Sequence, residues 1–400
     1  MTRSAVVVGG TGSLQATVEL LARKGWQVTV TGRNAAAVPQ SWSALGVAFV
    51  AIERGEQARM TALLADGGSL LVDGQCYTPE HARELSQWSQ NFESAVMLSA
   101  KAVCIDSAGR HLNSDEPPVW NGPIPESQPT MGYHGEPHQS REGYGANKAE
   151  AERVLFAAGR NVSILRSSKI HGPGVRQVRE WAIVKRVLDR RGWMPLRDGD
   201  RVESTTSAVA LAQASLACAI SPALRVLNMA DADPRPAREL AQAVATAAGG
   251  HLDLVEVEGC DCPAQVGRLP WTVDQVLDTT AATRLGITPT PSRARSALRS
   301  SGLSPELDRP RNAGGRFRTG LTPPSLTTPP RTRACVPTPF DRFHLPLPAP
   351  VGEAQVSQVG DGPRSQRTHG HGLASLSSGE DVLSRRERTA ATSGRSRAQR

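Results

Sequence analysis

The chain has no apolar run approaching the roughly 18 residues that a membrane-spanning helix needs, so no membrane association is expected. No charged-then-apolar leader precedes the strand-like run Ser4-Ala5-Val6-Val7-Val8; a secretory signal is therefore not expected, and a cytoplasmic location follows. The six cysteines (76, 104, 218, 260, 262 and 335) contain no Cys-x-x-Cys spacing, which argues against a disulfide framework. Cys260-Asp261-Cys262 is too isolated for a metal site, and His134 and His138 read as solvated side chains, so no metal is expected. Lysine is scarce, with five against forty-one arginines, and the charge is unevenly placed. Residues 303–400 hold fifteen Arg, no Lys and eight acids, which is +7 of the net +8. The basic character therefore belongs to the tail, and no nucleic acid partner is expected for the rest.

That tail also carries twelve Pro and no sustained apolar period, a composition that predicts disorder. Two readings stay open for it: an interaction tail, or a shifted reading frame in a GC-rich gene. The first three hundred residues are long enough to bury a substantial core. Strand-length apolar runs at 4–8, 27–31, 47–51, 69–73, 95–98 and 162–166 alternate with helix-length segments. That alternation predicts an α/β fold with a doubly wound parallel sheet.

The first of these units carries chemistry. A β-branched run enters Gly9-Gly10-Thr11-Gly12-Ser13-Leu14 and then an amphipathic stretch to Lys24, which reads as strand, tight turn and helix. Glycines let the backbone approach a pyrophosphate, and the free N–H groups of a helix start point at it. The second strand ends in Thr31-Gly32-Arg33-Asn34, without the acid that would bond the ribose 2′-hydroxyl of NAD. An arginine there accommodates the 2′-phosphate of NADP, so NADP is favoured over NAD.

A second constellation is Tyr144-Gly-Ala-Asn-Lys148. With three Tyr and five Lys in 400 residues, chance supplies roughly 0.04 such pairs. On a helix both side chains share one face. A phenol beside an ammonium can run acid–base chemistry, because the cation favours the phenolate and lowers its pKa.

Together the glycine turn, Gly32-Arg33, Tyr144-x-x-x-Lys148 and the segment Ile164 to Gly174 resemble the extended short-chain dehydrogenase/reductase superfamily, the NAD-dependent epimerase/dehydratase family. The resemblance covers residues 4 to about 290. It implies a Rossmann-type nucleotide-binding domain over 1–166 with an insertion at 105–143, a smaller substrate-binding lobe over 167–290, and the low-complexity tail over 291–400. It implies an NAD(P)-dependent oxidoreductase or epimerase acting on a small carbonyl or alcohol substrate, with a nucleotide sugar as one candidate; a homodimer is compatible with it. Tyr144 would move the proton on the substrate oxygen. Lys148 would tune Tyr144 and hold the nicotinamide ribose, and Ser99 would orient the carbonyl. Gly9, Gly10, Thr11, Gly12, Ser13, Leu14, Arg33, Asn34, Lys148, Ile170 and His171 would contact the cofactor. The strand at Arg225-Val-Leu-Asn228 and the helix-like 236–248 would belong to the substrate domain.

The departures are specific. Gln15 stands where the family's third glycine falls, and a long side chain there should loosen or reshape the turn. The family's catalytic hydroxyl falls on Ala100, with Ser99 one residue away and directed to the opposite side if the strand continues. Another alignment places the hydroxyl at Ser107. Around Ser99-Ala100-Lys101-Ala102 there is no Asp-Glu pair of the kind that dehydratases of the family carry after the catalytic hydroxyl, which disfavours dehydration. Arg176, Arg179, Lys185 and Arg186 could grip a diphosphate or form a solvated face. The proline-rich insertion is placed to cover the active site. A non-catalytic NADP-binding sensor or scaffold of the same fold is the alternative function.

Overall fold

In chain order the strands of the computed structural model are β1 (Ser4–Val8), β2 (Gln27–Gly32), β3 (Ala48–Ala51), β4 (Gly68–Asp73), β5 (Phe92–Ala100), β6 (Val162–Ser167), β7 (Lys169–His171), β8 (Trp193–Leu196), β9 (Thr205–Ser207), β10 (Arg225–Met229) and β11 (Asp253–Glu256). The α-helices are α1 (Gln15–Arg23), α2 (Ser41–Ala44), α3 (Gln57–Leu64), α4 (Pro79–Trp88), α5 (Gly143–Ala158), α6 (Trp181–Leu188), α7 (Ala208–Ile220), α8 (Ala237–Ala247) and α9 (Thr280–Arg284). The structure describes residues 2–177, 179–257 and 273–288. They lie in one compact unit, Met1–Thr332; a second unit, Arg333–Arg400, is outside the described residues. So are the whole tail expected from 291 onward and Cys260, Cys262 and Cys335.

Seven strands form one wholly parallel sheet in the order β10-β6-β5-β4-β1-β2-β3. Every residue of β6 is buried, as expected of a strand covered on both faces. One face packs Val18 and Leu21 of α1 and Leu211 and Ala214 of α7 against β1, β2 and β4; the other packs Met60, Leu64, Leu85, Ala151 and Leu155 of α3, α4 and α5. The chain reverses its direction of winding between β1 and β4, which opens a crevice at the carboxyl ends of those strands, the usual ligand position in such sheets.

One boundary needs correction. The strand at Arg225, expected in the substrate lobe, is the seventh strand of the central sheet, paired in register with β6 from Arg225–Ser163 to Met229–Ser167. Its Leu227 and Met229 belong to the same core as β1. The smaller lobe is built from what remains. Parallel pairs β7–β9 and β8–β11 accompany α6 and α8, whose Ile183, Val184, Leu240, Ala241 and Val244 share a core with Met194 and Leu196.

The insertion 105–143 is tied down at its start by Asp106. This buried carboxylate accepts from the backbone N–H groups of Ala108, Arg110 and Val119 and from Arg110 Nε, at 2.8–2.9 Å. Burial alone would raise its pKa, but those donors outweigh it and hold the group at about 2. Further on, Ile124 donates to Val276 O and accepts from Asp278 N, and Ile124 and Met131 pack on Ala146 and Ala149 of α5.

Candidate active site

Helix α5 places Tyr144 and Lys148 on the wall of a single cavity of about 1110 Å³. Gly145 explains the close seating of the helix: a Cβ there would meet the Ala102 carbonyl oxygen and Met131 Sδ, both at 2.5 Å. Lys148 is 2% exposed. Its ammonium donates to Cys76 O at 2.8 Å and Leu98 O at 2.6 Å, and lies 4.6 Å from the Tyr77 ring centroid. Burial pushes its pKa down, opposed by Cys76, Asp73 and Glu152.

Tyr144 departs from the sequence expectation. Its phenol is pushed up to about 12, first by burial and then by the neighbouring Tyr77 phenol, with Arg179 pulling the other way. Two carbonyls and the Tyr77 ring engage the Lys148 charge, and desolvation of the phenolate dominates. Tyr77, whose ring centroid is 6.5 Å from that of Tyr144, also lines the cavity and was not singled out from sequence. The rule that ligands sit beyond the carboxyl ends of parallel strands pointed to its segment, just after β4.

Strand β5 does continue through Ala100, so Ser99 and Ala100 face opposite ways. Ala100 lines the cavity without a hydroxyl. Ser99 reaches the lining too, but its Oγ donates to Glu152 Oε1 at 2.5 Å. Glu152 in turn binds Arg166 through Nη2 at 2.6 Å and Nε at 3.1 Å. The Ser99 hydroxyl thus completes a buried ion pair, which needs extra donors to offset desolvation. Ser107 is exposed in the turn after Asp106 and is not part of the lining. Residues 105–143 contribute no lining residue either, contrary to their expected role as a cover. Their link to the site is His138, stacked on Tyr77 at 5.8 Å between ring centroids.

At the other end of the cavity, Gly9, Thr11, Gly12, Ser13 and Leu14 form the lining together with Arg33 and Asn34. Gly9 has φ +76°, and a Cβ there would lie 2.8 Å from Gln75 Cγ. Gly10 lies outside the lining; its missing Cβ would strike Val30 Cγ1 at 2.7 Å and Val18 Cγ2 at 3.1 Å, so it serves helix–sheet packing. Gly12 has open space at that position. No side chain caps α1 and no acid sits in its first turn. This cradle fits the phosphates of a dinucleotide, and the cavity lies slightly above the usual ligand-site volumes of about 300–1,000 Å³. Arg33 is mostly exposed and lies 3.6 Å from Glu53, a pairing too solvated to hold it. Asn34 accepts from Ala36 N at 2.9 Å and shapes the following turn.

Ile170 lines the cavity and His171 does not. His171 Nε2 meets Asp231 Oδ2 at 2.6 Å, where Thr205 Oγ1 also donates at 2.6 Å and Ser207 N donates to Oδ1 at 3.0 Å. This buried joint ties β7 and β9 to the segment after β10. Arg176 and Arg179 reach the cavity, whereas Lys185 pairs with Asp189 and Arg186 with Ala182 O on the exposed side of α6. Among the described residues, no group of three or more His, Cys, Asp or Glu could hold a metal ion, and no helix is long and apolar enough to cross a membrane.

No family model matches the sequence, and no curated protein matches it by sequence comparison. Solved structures do match. The Bordetella bronchiseptica enzyme WbmH in complex with NAD+ is 13% identical with a TM-score of 0.58, covering 76% of this chain and 99% of its own. UDP-glucose 4-epimerase from Thermotoga maritima with UDP-glucose is 15% identical with a TM-score of 0.56, covering 76% and 99%. The dTDP-glucose 4,6-dehydratase from Bacillus anthracis in complex with NAD is 13% identical with a TM-score of 0.56, covering 76% and 97%. The chain therefore shares its fold with these three proteins.

Proposed function

We propose that the protein is an NADP-dependent oxidoreductase or epimerase acting on a carbonyl or alcohol. The observation that carries this reading is one cavity whose wall runs from the glycine turn and Arg33 to Tyr144 and Lys148. The turn from Gly9 to Leu14 and the open start of α1 would hold the cofactor phosphates, and Arg33 would select the 2′-phosphate of NADP. A nicotinamide bound there supplies or accepts the hydride. Tyr144, its phenol pushed up to about 12 by burial, is protonated at neutral pH and would be the donor to a substrate oxygen as a carbonyl is reduced. Lys148 fixes the backbone at Cys76 and Leu98 around the reacting end and would hold ribose hydroxyls. Ala100 offers no hydroxyl and Ser99 gives its own to Glu152, so proton transfer rests on Tyr144. Arg179, electrostatically coupled to Tyr144, supports a polar substrate. A nucleotide sugar, as bound by the Thermotoga maritima epimerase, is the class to test first.

A second reading has its own observation. The combination of Ala100 with a phenol raised to about 12 fits a protein that binds NADP without turnover, as a sensor or scaffold. Titration of tryptophan fluorescence with NADPH and NADH, for wild type and Arg33→Ala, tests the shared part. NADPH should bind, and the substitution should weaken NADPH more than NADH. Negligible binding of both dinucleotides to the wild-type protein would sink both readings.

A further inference from the structure

The segment that leads from β7 into α6 crosses back over the glycine turn. Gly174 has φ +77°, and a Cβ on it would lie 2.5 Å from Gly12 O, 2.5 Å from Gln15 Oε1 and 2.6 Å from Gln15 Cβ. The two segments are thus in direct contact, and only glycine fits the contact without displacement. Gln15 is itself braced, its Nε2 donating to Glu19 Oε1 at 3.1 Å. Two residues on, Arg176 Nη2 donates to Thr11 Oγ1 at 3.4 Å. Arg176, Thr11 and Gly12 all line the cavity described above.

We infer that Arg176 is a phosphate ligand contributed by the smaller lobe, closing over the pyrophosphate of the dinucleotide, with the Gln15–Gly174 contact setting its position. The inference rests on the dinucleotide reading above and adds a group to it from outside the turn. A pyrophosphate laid on Gly9 to Leu14 lies against the residue that Arg176 already reaches. A guanidinium is suited to that task, since its planar donors match phosphate oxygens. The contact also accounts for Gln15. Where a glycine would leave a gap beneath Gly174, the Gln15 side chain fills it and carries the crossing segment at a fixed height above the turn.

The test is direct binding of NADPH and NADH to the full chain, followed by tryptophan fluorescence, for wild type, Arg176→Ala, Arg176→Gln, Arg176→Lys and Gly174→Ala. Arg176→Ala and Arg176→Gln should weaken both dinucleotides by the same factor, about 10- to 100-fold, the loss expected for a charge-assisted hydrogen bond. Arg176→Lys should keep part of the affinity, and binding should become less salt-sensitive in the uncharged variants. Gly174→Ala should reproduce the loss, and combining it with Arg176→Ala should add little further. Arg176 is exposed, so its variants should fold even if Gly174→Ala does not. Wild-type affinity in Arg176→Ala overturns the inference while leaving the dinucleotide reading intact. A loss in Arg176→Ala that Arg176→Gln restores also overturns it, because an uncharged bridge to Thr11 would then suffice. Absence of dinucleotide binding in the wild-type protein overturns both.

Discussion

The two ends of the cavity depart in opposite ways from the pattern that the motifs resemble. At the phosphate end, Gln15 replaces a glycine, and the structure answers with another glycine: Gly174 approaches from a distant segment until its missing Cβ would lie 2.6 Å from Gln15 Cβ. At the chemical end, Ala100 replaces a hydroxyl residue, and the nearest serine turns away into the Glu152–Arg166 pair. The first departure is absorbed by packing, which many residue combinations can satisfy. The second removes a donor from a position where geometry decides function. The dinucleotide binding and the proton transfer proposed above should therefore be separable, and experiments can address each end alone.

The largest effect is expected at the chemical end. On whichever compound in a panel of carbonyls, alcohols and nucleotide sugars the wild type turns over, Tyr144→Phe should lower kcat by about 100- to 10,000-fold, the range for loss of a positioned acid. NADPH affinity should stay within a factor of about three, because the substitution removes none of the groups proposed to hold the phosphates. Ala100→Ser should raise kcat where the missing donor limits the rate. Equal turnover by Tyr144→Phe and wild type would remove Tyr144 as the acid. No turnover of any compound, alongside tight NADPH binding, would favour the sensor reading.

Next is the ion pair behind Ser99. Glu152→Ala leaves Arg166 buried without its carboxylate, which should cost about 3–5 kcal/mol of unfolding free energy in chemical denaturation. Glu152→Gln keeps an acceptor and should cost less. A change under about 0.5 kcal/mol for Glu152→Ala would mean that the pair does not hold β5 and β6 in place.

How much of this was legible in the sequence follows from the range of each interaction. The strand–turn–helix unit at Gly9 and the Tyr144–Lys148 pair depend on neighbours a few residues away, so spacing alone placed them. Seating Arg225–Met229 in the central sheet depends on pairing with β6, about sixty residues earlier, and periodicity says nothing about partners. Tyr77 entered the site because Lys148 and His138 meet over its ring from two other segments. The shift of Tyr144 went against expectation for the same reason. Two residues on one helix face define a distance, while the desolvation that raises the phenol comes from everything packed around them.

The smallest effect concerns His171, expected at the cofactor and found instead in the joint between the lobes' strands. Burial alone would lower its pKa, but the hydrogen bond and charge of Asp231 outweigh it and raise the folded-state value above the ordinary one of about 6.5. A raised value means that the folded protein holds the proton more tightly than the unfolded chain. The associated stability is fully present below about pH 6.5 and is lost as pH rises through the folded pKa. Lys169 works in the opposite sense. Burial, Lys101 and Arg179 outweigh Glu203 and hold its amine near 7, so its contribution to stability grows as pH rises above that value. The whole-protein curve mixes the two, and the informative quantity is the difference between wild type and His171→Gln. That difference in unfolding free energy should be largest at low pH and shrink from about pH 6.5 upward. A constant difference from pH 5 to 9 would show that the His171–Asp231 contact acts as a neutral hydrogen bond. A change in NADPH affinity with unchanged stability would return His171 to the cofactor end of the cavity.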